Sequence, residues 1–239
     1  MQDAYRRLVE ELESPNAPRT SFSLGNASLY GSKLRSIGVK IPYVKEVAAN
    51  YVADPSLSLT DFSLTDSVEL TICFFVIGLR RCASFAEKMA FLRERLPYAD
   101  SWAVTDVCPQ FIKPAPLGTY LPYYREFIAS PYPFVRRFAY VYAMVYRGEA
   151  KAPLFIKGIK KESEYYVIMA EAWLLATLAI DHYGDVLAFL KSRRAYPALF
   201  RKTISKCRDS FRIPAERKRE LMALREERKR FVGVSANKR

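Results

Sequence analysis

Histidine is almost absent from this 239-residue chain, with His182 the only one. That removes Ser-His-Asp triads, paired-His metal sites and His–Cys zinc sites from one chain. The four cysteines, Cys73, Cys82, Cys108 and Cys207, form no C-x-x-C pair and read as free thiols kept in a reducing compartment. Long apolar runs are missing as well. The longest, Ile72 to Leu79, is too short to cross a bilayer, and the N-terminus carries no apolar leader. These absences describe a soluble, unexported, cytoplasmic protein with no membrane partner, no metal and no cofactor. Catalysis, if present, falls to carboxylates, tyrosines and cations.

Positive charge is abundant and unevenly placed. The net charge is +13; residues 191–239 hold 17 Lys and Arg against 5 Asp and Glu, while residues 1–190 are close to balanced, with 21 against 20. Such a block attracts polyanions, and phosphate-backbone binding with counterion release is its functional reading. A solvated terminal helix that maintains solubility accounts for the same charge. Lys160-Lys161, Arg193-Arg194, Arg201-Lys202 and Arg217-Lys218-Arg219 are candidate backbone contacts independent of sequence.

Half of the residues are hydrophobic, enough to bury a sizeable core. Their spacing is helical throughout, and no stretch alternates with the period of two that marks an exposed strand. The pattern predicts helices over Ala4–Glu13, Leu24–Ser36, from Pro42, Leu64–Leu79, Ser84–Leu96, the Trp102–Asp106 region, from Pro122 to Ile128, Phe134–Tyr146, Ser163–His182, Tyr183–Leu190, Tyr196–Arg208 and Pro214–Phe231. The expected fold is all-α: antiparallel helix pairs stacked as a curved solenoid with a concave face, residues 1–231 forming one domain and 232–239 a frayed tail. A compact bundle satisfies the same spacing.

Within Asp100-Ser-Trp-Ala-Val-Thr-Asp-Val-Cys108, Trp102 and Asp106 stand four residues apart and share a face of any helix formed there. Asp100 or Ser101 would cap it. An aromatic face beside a carboxylate suits a cation; core packing with a solvated acid explains an arbitrary pair of this kind equally well. Arg136 and Arg137 lie in the first turns of a predicted helix, where cations oppose the macrodipole. Such local violations point to function.

Four segments in order resemble the AlkD-like DNA alkylation repair family of HEAT-like-repeat glycosylases. Leu29-Tyr-Gly-Ser-Lys-Leu-Arg-Ser-Ile-Gly-Val-Lys-Ile-Pro42 resembles its aromatic-led first helix running into Gly-[IV]-x-x-Pro. Trp102-Ala-Val-Thr-Asp106 is similar to its W-x-x-x-D motif, and Arg137-Phe-Ala139 after Phe134 to its Arg-x-Ala. Tyr165-Tyr-Val-Ile-Met-Ala-Glu-Ala-Trp173 is similar to its aromatic run ending in Trp. Met169 and Ala172 depart from the family's Lys and Gly.

The resemblance implies a monomer that binds duplex DNA in a basic cleft and hydrolyses the N-glycosidic bond of cationic N3- or N7-alkylated purines, as a monofunctional glycosylase. It assigns Asp106 as the catalytic carboxylate, Trp102 and Trp173 as aromatic walls, Arg137 as a phosphate contact that Arg136 shares or flanks, and Tyr30 as a lesion-side aromatic. The chemistry agrees with the residues present: a cationic purine departs neutral and needs no strong general acid, so one carboxylate near the developing oxocarbenium suffices. A non-catalytic helical-repeat protein that binds damaged or branched DNA, and a protein-binding repeat, remain as alternatives.

Overall fold

The computed structural model describes residues 3–20, 31–62 and 67–236. Among them there are twelve α-helices and no strand, only isolated bridges pairing Arg19 with Val39 and Arg35 with Ser67. The fold is all-α, built from helices packed on one another. It divides into two compact units, one of residues 1–115 with 129–138 and one of residues 116–128 with 139–239.

Unit 1 is organised around α3 (Val68–Arg81), in which every residue from Val68 to Leu79 is buried. A helix apolar all round belongs in a core. Ser67 starts it, its hydroxyl accepting the Leu70 N–H at 3.1 Å, and helices α2 (Ile41–Asn50) and α5 (Trp102–Val107) pack against it. Helix α1 (Asp3–Glu13) buries Ala4, Tyr5, Leu8 and Leu12, the i, i+4 stripe of an amphipathic helix. Helix α4 (Phe85–Arg95) opens on a reciprocal capping box: the Ser84 hydroxyl accepts the Glu87 N–H at 3.1 Å and the Glu87 carboxylate accepts the Ser84 N–H at 3.4 Å. Two orphan donors of the helix start are satisfied by one Ser-x-x-Glu pattern.

The helix expected over Leu24–Ser36 is not present in its described part. Residues 31–36 form turns and bends, and Leu24 to Tyr30 lie outside the described residues. Carboxylates explain the outcome. Glu69, fully buried in α3, accepts the N–H groups of Ile37 and Gly38, both at 2.9 Å, and the Ser36 hydroxyl at 2.8 Å. Asp100 accepts the Ser32 hydroxyl at 2.8 Å and the Lys33 N–H at 3.0 Å. Backbone donors that a helix would have used internally are therefore spent on two acids distant in sequence. Gly31 and Gly38 sit at φ 72° and 81°, where a side chain would be strained.

Unit 2 has a core of tyrosines. Tyr120 and Tyr124 of α6 (Leu117–Ile128) pack with Tyr142 of α7 (Pro133–Ala143), Tyr146 and Phe155. Tyr120 and Tyr146 stack at 5.5 Å, and Tyr120 meets Tyr142 edge-on at 4.7 Å, geometries that ring quadrupoles favour. Buried hydroxyls need acceptors: Tyr120 donates to the Ala139 carbonyl at 3.0 Å and Tyr124 to the Phe155 carbonyl at 2.7 Å. Burial drives both phenol pKa values well above the ordinary range. Pro122 lies inside α6 and does not start it.

After α8 (Leu154–Lys157), α9 (Tyr165–Leu178) and α10 (Tyr183–Lys191), helix α11 (Pro197–Asp209) packs on α9, and α12 (Ala215–Ala236) packs on α11. The buried Glu171 of α9 accepts a hydrogen bond from the Tyr196 hydroxyl. Helix α12 continues past Phe231, where the sequence pattern fades, to Ala236. No helix among the described residues is long and apolar enough to cross a membrane.

Candidate active site

Helix α5 is only six residues long, and its first residue is Trp102. Ser101 is its N-cap, with the side-chain oxygen accepting the Ala103 N–H at 3.1 Å. Asp100, the other candidate cap, is used instead on Ser32 and Lys33. Asp106 follows Trp102 by four residues on the same helix, so their Cβ atoms project from one side. Both are half-buried, while Ala103, Val104, Thr105 and Val107 between and beside them are buried. The short helix thus keeps its apolar side in the core and presents Trp102 and Asp106 at its edge.

Asp106 is held by Arg137. The guanidinium donates from Nε to Oδ1 at 2.9 Å and from Nη2 to Oδ2 at 2.6 Å, a two-point fork that fixes the plane of the carboxylate. The Arg137 side chain is 7 % exposed and that of Asp106 17 %, so the arginine lies beneath and the acid nearer the surface. The Thr105 hydroxyl stands 3.2 Å from Asp106 Oδ1 and 3.2 Å from the Trp102 carbonyl, tying both ends of the motif to one side chain. Next to them Cys108 is buried, and burial together with the Asp106 charge raises its thiol pKa. A protonated, enclosed thiol is no nucleophile.

Two donors of Arg137, Nε and Nη2, face Asp106, and the residue is buried. Arg136 also turns inward, donating from Nη1 to the carbonyls of Ser130 at 2.9 Å and Pro131 at 3.0 Å. Two cations at the start of α7 are thus accounted for locally, one by an ion pair and one by bracing the turn that precedes the helix. Sequence spacing alone gives no sign of the Arg137–Asp106 pairing, because the partners are 31 residues apart. The macrodipole violation was the available clue.

The remaining expected residues belong elsewhere. Trp173 lies on α9 in unit 2, 39 % exposed, with the Lys206 ammonium of α11 5.5 Å from its ring centre. Lys160 and Lys161 are exposed, and Lys160 lines a cleft of about 280 Å³ with Leu121, Arg125 and Gly158. Tyr30 lies outside the described residues. The sequence reading missed Thr105, the Asp100 clasp and Lys206. Two lysines four apart on α11 facing aromatics eight apart on α9 were the signal for the last. Among the described residues no three His, Cys, Asp or Glu side chains gather where a metal ion could be held.

The sequence pattern of the DNA alkylation repair enzymes matches this chain over residues 10–206, a span that includes Trp102, Asp106, Arg137 and Trp173. The chain belongs to the DNA alkylation repair enzyme family. Membership agrees with the basic charge and with the motif order, and it makes alkylated DNA the relevant substrate class. No curated protein matches the chain.

Proposed function

We propose that this family member is a DNA glycosylase that releases cationic N3- and N7-alkylated purines, with Asp106 as the catalytic carboxylate. The observation that carries the reading is the two-point grip of a buried Arg137 on a carboxylate that keeps its outer edge at the surface beside Trp102. Preorganised charge of this kind acts where positive charge develops and reorganises little during reaction.

In the reaction the C1′–N9 bond breaks with its electron pair moving to the purine, which thereby loses its positive charge and leaves neutral. The sugar becomes an oxocarbenium ion opposite Asp106. Water then adds to C1′, and the proton it loses passes to bulk solvent. Trp102 supplies an aromatic face to the cationic base or sugar, worth roughly 0.5–2 kcal/mol, and Trp173 is kept as a second aromatic contact to the DNA. Arg137 is a positioning residue. Lys160 and Lys161 are kept as sequence-independent phosphate contacts, and the protein acts as a monomer without cofactor.

The alternative, a protein that binds damaged or branched DNA without cleaving it, is favoured by the charge balance of the same pair, since Arg137 neutralises Asp106. Chromatography of bases freed from methylated duplex DNA separates the two. The proposal expects 3-methyladenine and 7-methylguanine from the wild type and a loss of roughly 10²- to 10³-fold in Asp106→Asn. Binding without any release establishes the alternative.

A further inference from the structure

Phe211 is 92 % exposed and lies in a turn. Its neighbours show that the turn is held in place. The Ser210 N–H donates to the Lys206 carbonyl at 3.1 Å, the Arg212 N–H donates to the Ser210 hydroxyl at 3.3 Å, and Ile213 is buried in the core. The ring is therefore presented outward by a fixed backbone. A single exposed ring is ordinary on a protein surface; Phe211 is set apart because it shares a cleft with the half-exposed Trp173.

Phe211 borders a cleft of about 360 Å³ that it shares with Trp173, Lys206, Asp209 and Arg212. That volume lies at the small end of the ~300–1,000 Å³ range of ligand pockets, which suits a single planar ring. The Arg212 guanidinium is 5.9 Å from the Phe211 ring centre and the Lys206 ammonium 5.5 Å from that of Trp173. About two helical turns back along α9 from Trp173, exposed Tyr165 has the Lys202 ammonium at 5.1 Å. The only acid in the cleft, Asp209, is paired with Arg208 at 2.8 Å, so the local balance is cationic. Aromatic faces beside cations are the two elements that bind a single strand, whose bases stack while its phosphates meet the charges.

We infer that this α9–α11 edge of unit 2 is a stacking platform for an unpaired segment of single-stranded DNA, with Phe211 and Trp173 against bases and Lys206 and Arg212 on the flanking phosphates. A duplex keeps its bases in the stack and cannot use the outward Phe211 ring for stacking, so the platform reads strand state through Phe211. The inference rests on the nucleic-acid-binding part of the proposed function and needs neither Asp106 nor a lesion.

The test is fluorescence anisotropy with a labelled, undamaged oligothymidine strand and a labelled blunt duplex, using the full chain and the variants Phe211→Ala, Phe211→Tyr and Arg212→Gln, each with its fold checked by circular dichroism. Alanine at 211 is expected to weaken strand binding roughly 5- to 100-fold, in line with the loss of one stacked base, with duplex affinity changed less than strand affinity and tyrosine restoring strand binding. Arg212→Gln is expected to flatten the salt dependence for the strand. Equal strand affinity in the wild type and Phe211→Ala overturns the inference, as does an equal loss for strand and duplex. Release of methylated bases reports on Asp106 and strand affinity on Phe211, so either reading can fail while the other stands.

Discussion

Glu69 and Asp106 are both low-exposure acids of unit 1, and they are satisfied in opposite ways. Glu69 is fully buried and, among the described residues, takes neutral donors, two backbone N–H groups and a hydroxyl from the 36–38 turn. Asp106 is partly exposed and is gripped by a guanidinium. An acid that spends its acceptors on backbone donors shapes a loop and has nothing left to offer a ligand. An acid whose inner edge is fixed by a buried cation, and whose outer edge reaches the surface beside Trp102, is arranged for chemistry. Glu171 in unit 2, 1 % exposed and bonded to Tyr196, falls with Glu69. Burial alone therefore does not single out the proposed site; a charged anchor beneath and solvent access above set Asp106 apart from the other two acids.

Removing Glu69 should have the largest effect on folding. Glu69→Ala leaves the Ile37 and Gly38 donors and the Ser36 hydroxyl without their acceptor, and a loss above about 3 kcal/mol is expected from their combined desolvation. Urea denaturation measures it, and a loss below about 1 kcal/mol would contradict the architectural role. Asp106→Asn should cost less, roughly 1–3 kcal/mol, because the amide can still accept from Arg137 but without charge. The double variant Asp106→Asn with Arg137→Gln should recover most of that loss, since a neutral pair avoids an uncompensated buried charge.

Unit 2 offers two further contrasts. At Gly158 an added Cβ would stand 2.7 Å from Ile128 Cδ1 and 2.8 Å from Tyr124 Cε1, and Tyr124 is pinned by its bond to the Phe155 carbonyl. Gly158→Ala is accordingly expected to lower stability by about 1–3 kcal/mol, the usual range for overpacking, visible as a lower thermal midpoint.

Alkaline pH should also act on this unit through its tyrosines. Burial raises the pKa of Tyr120, Tyr124, Tyr140, Tyr142 and Tyr196, whereas an unfolded tyrosine ionises near ~10. The native state then holds protons that the unfolded chain releases, so the tyrosines' contribution to stability is full below pH ~10 and falls as pH rises above it. Phenolate absorbance of these residues is expected to appear together with loss of helix. Gradual ionisation in the folded state would contradict the tyrosine core.

The helical class was legible because apolar spacing is a local property: the stripes of α1 and α4 and the Ser84 box are complete within a dozen residues. Trp102 and Asp106 were legible for the same reason, being one turn apart on α5. What local spacing could not show were pairings across the chain. Residues 31–36 have helical spacing, yet Asp100 takes the Ser32 hydroxyl and the Lys33 N–H, and Glu69 takes the Ser36 hydroxyl and the N–H groups that follow it. Arg137 looked like a surface cation because its partner lies 31 residues earlier. Phe211 gave no signal, since a lone aromatic in a basic segment is defined only by whether the turn buries it.

The most direct test of the central claim is the single-turnover rate of base release from methylated duplex for wild type, Asp106→Asn and the double variant Asp106→Asn with Arg137→Gln, all at a temperature where each is folded. The account predicts release by the wild type and a loss of roughly 10²-fold or more in both variants, including the double variant whose stability has returned. Release that recovers along with stability would contradict it, making the Asp106–Arg137 pair a structural element and not the reacting centre.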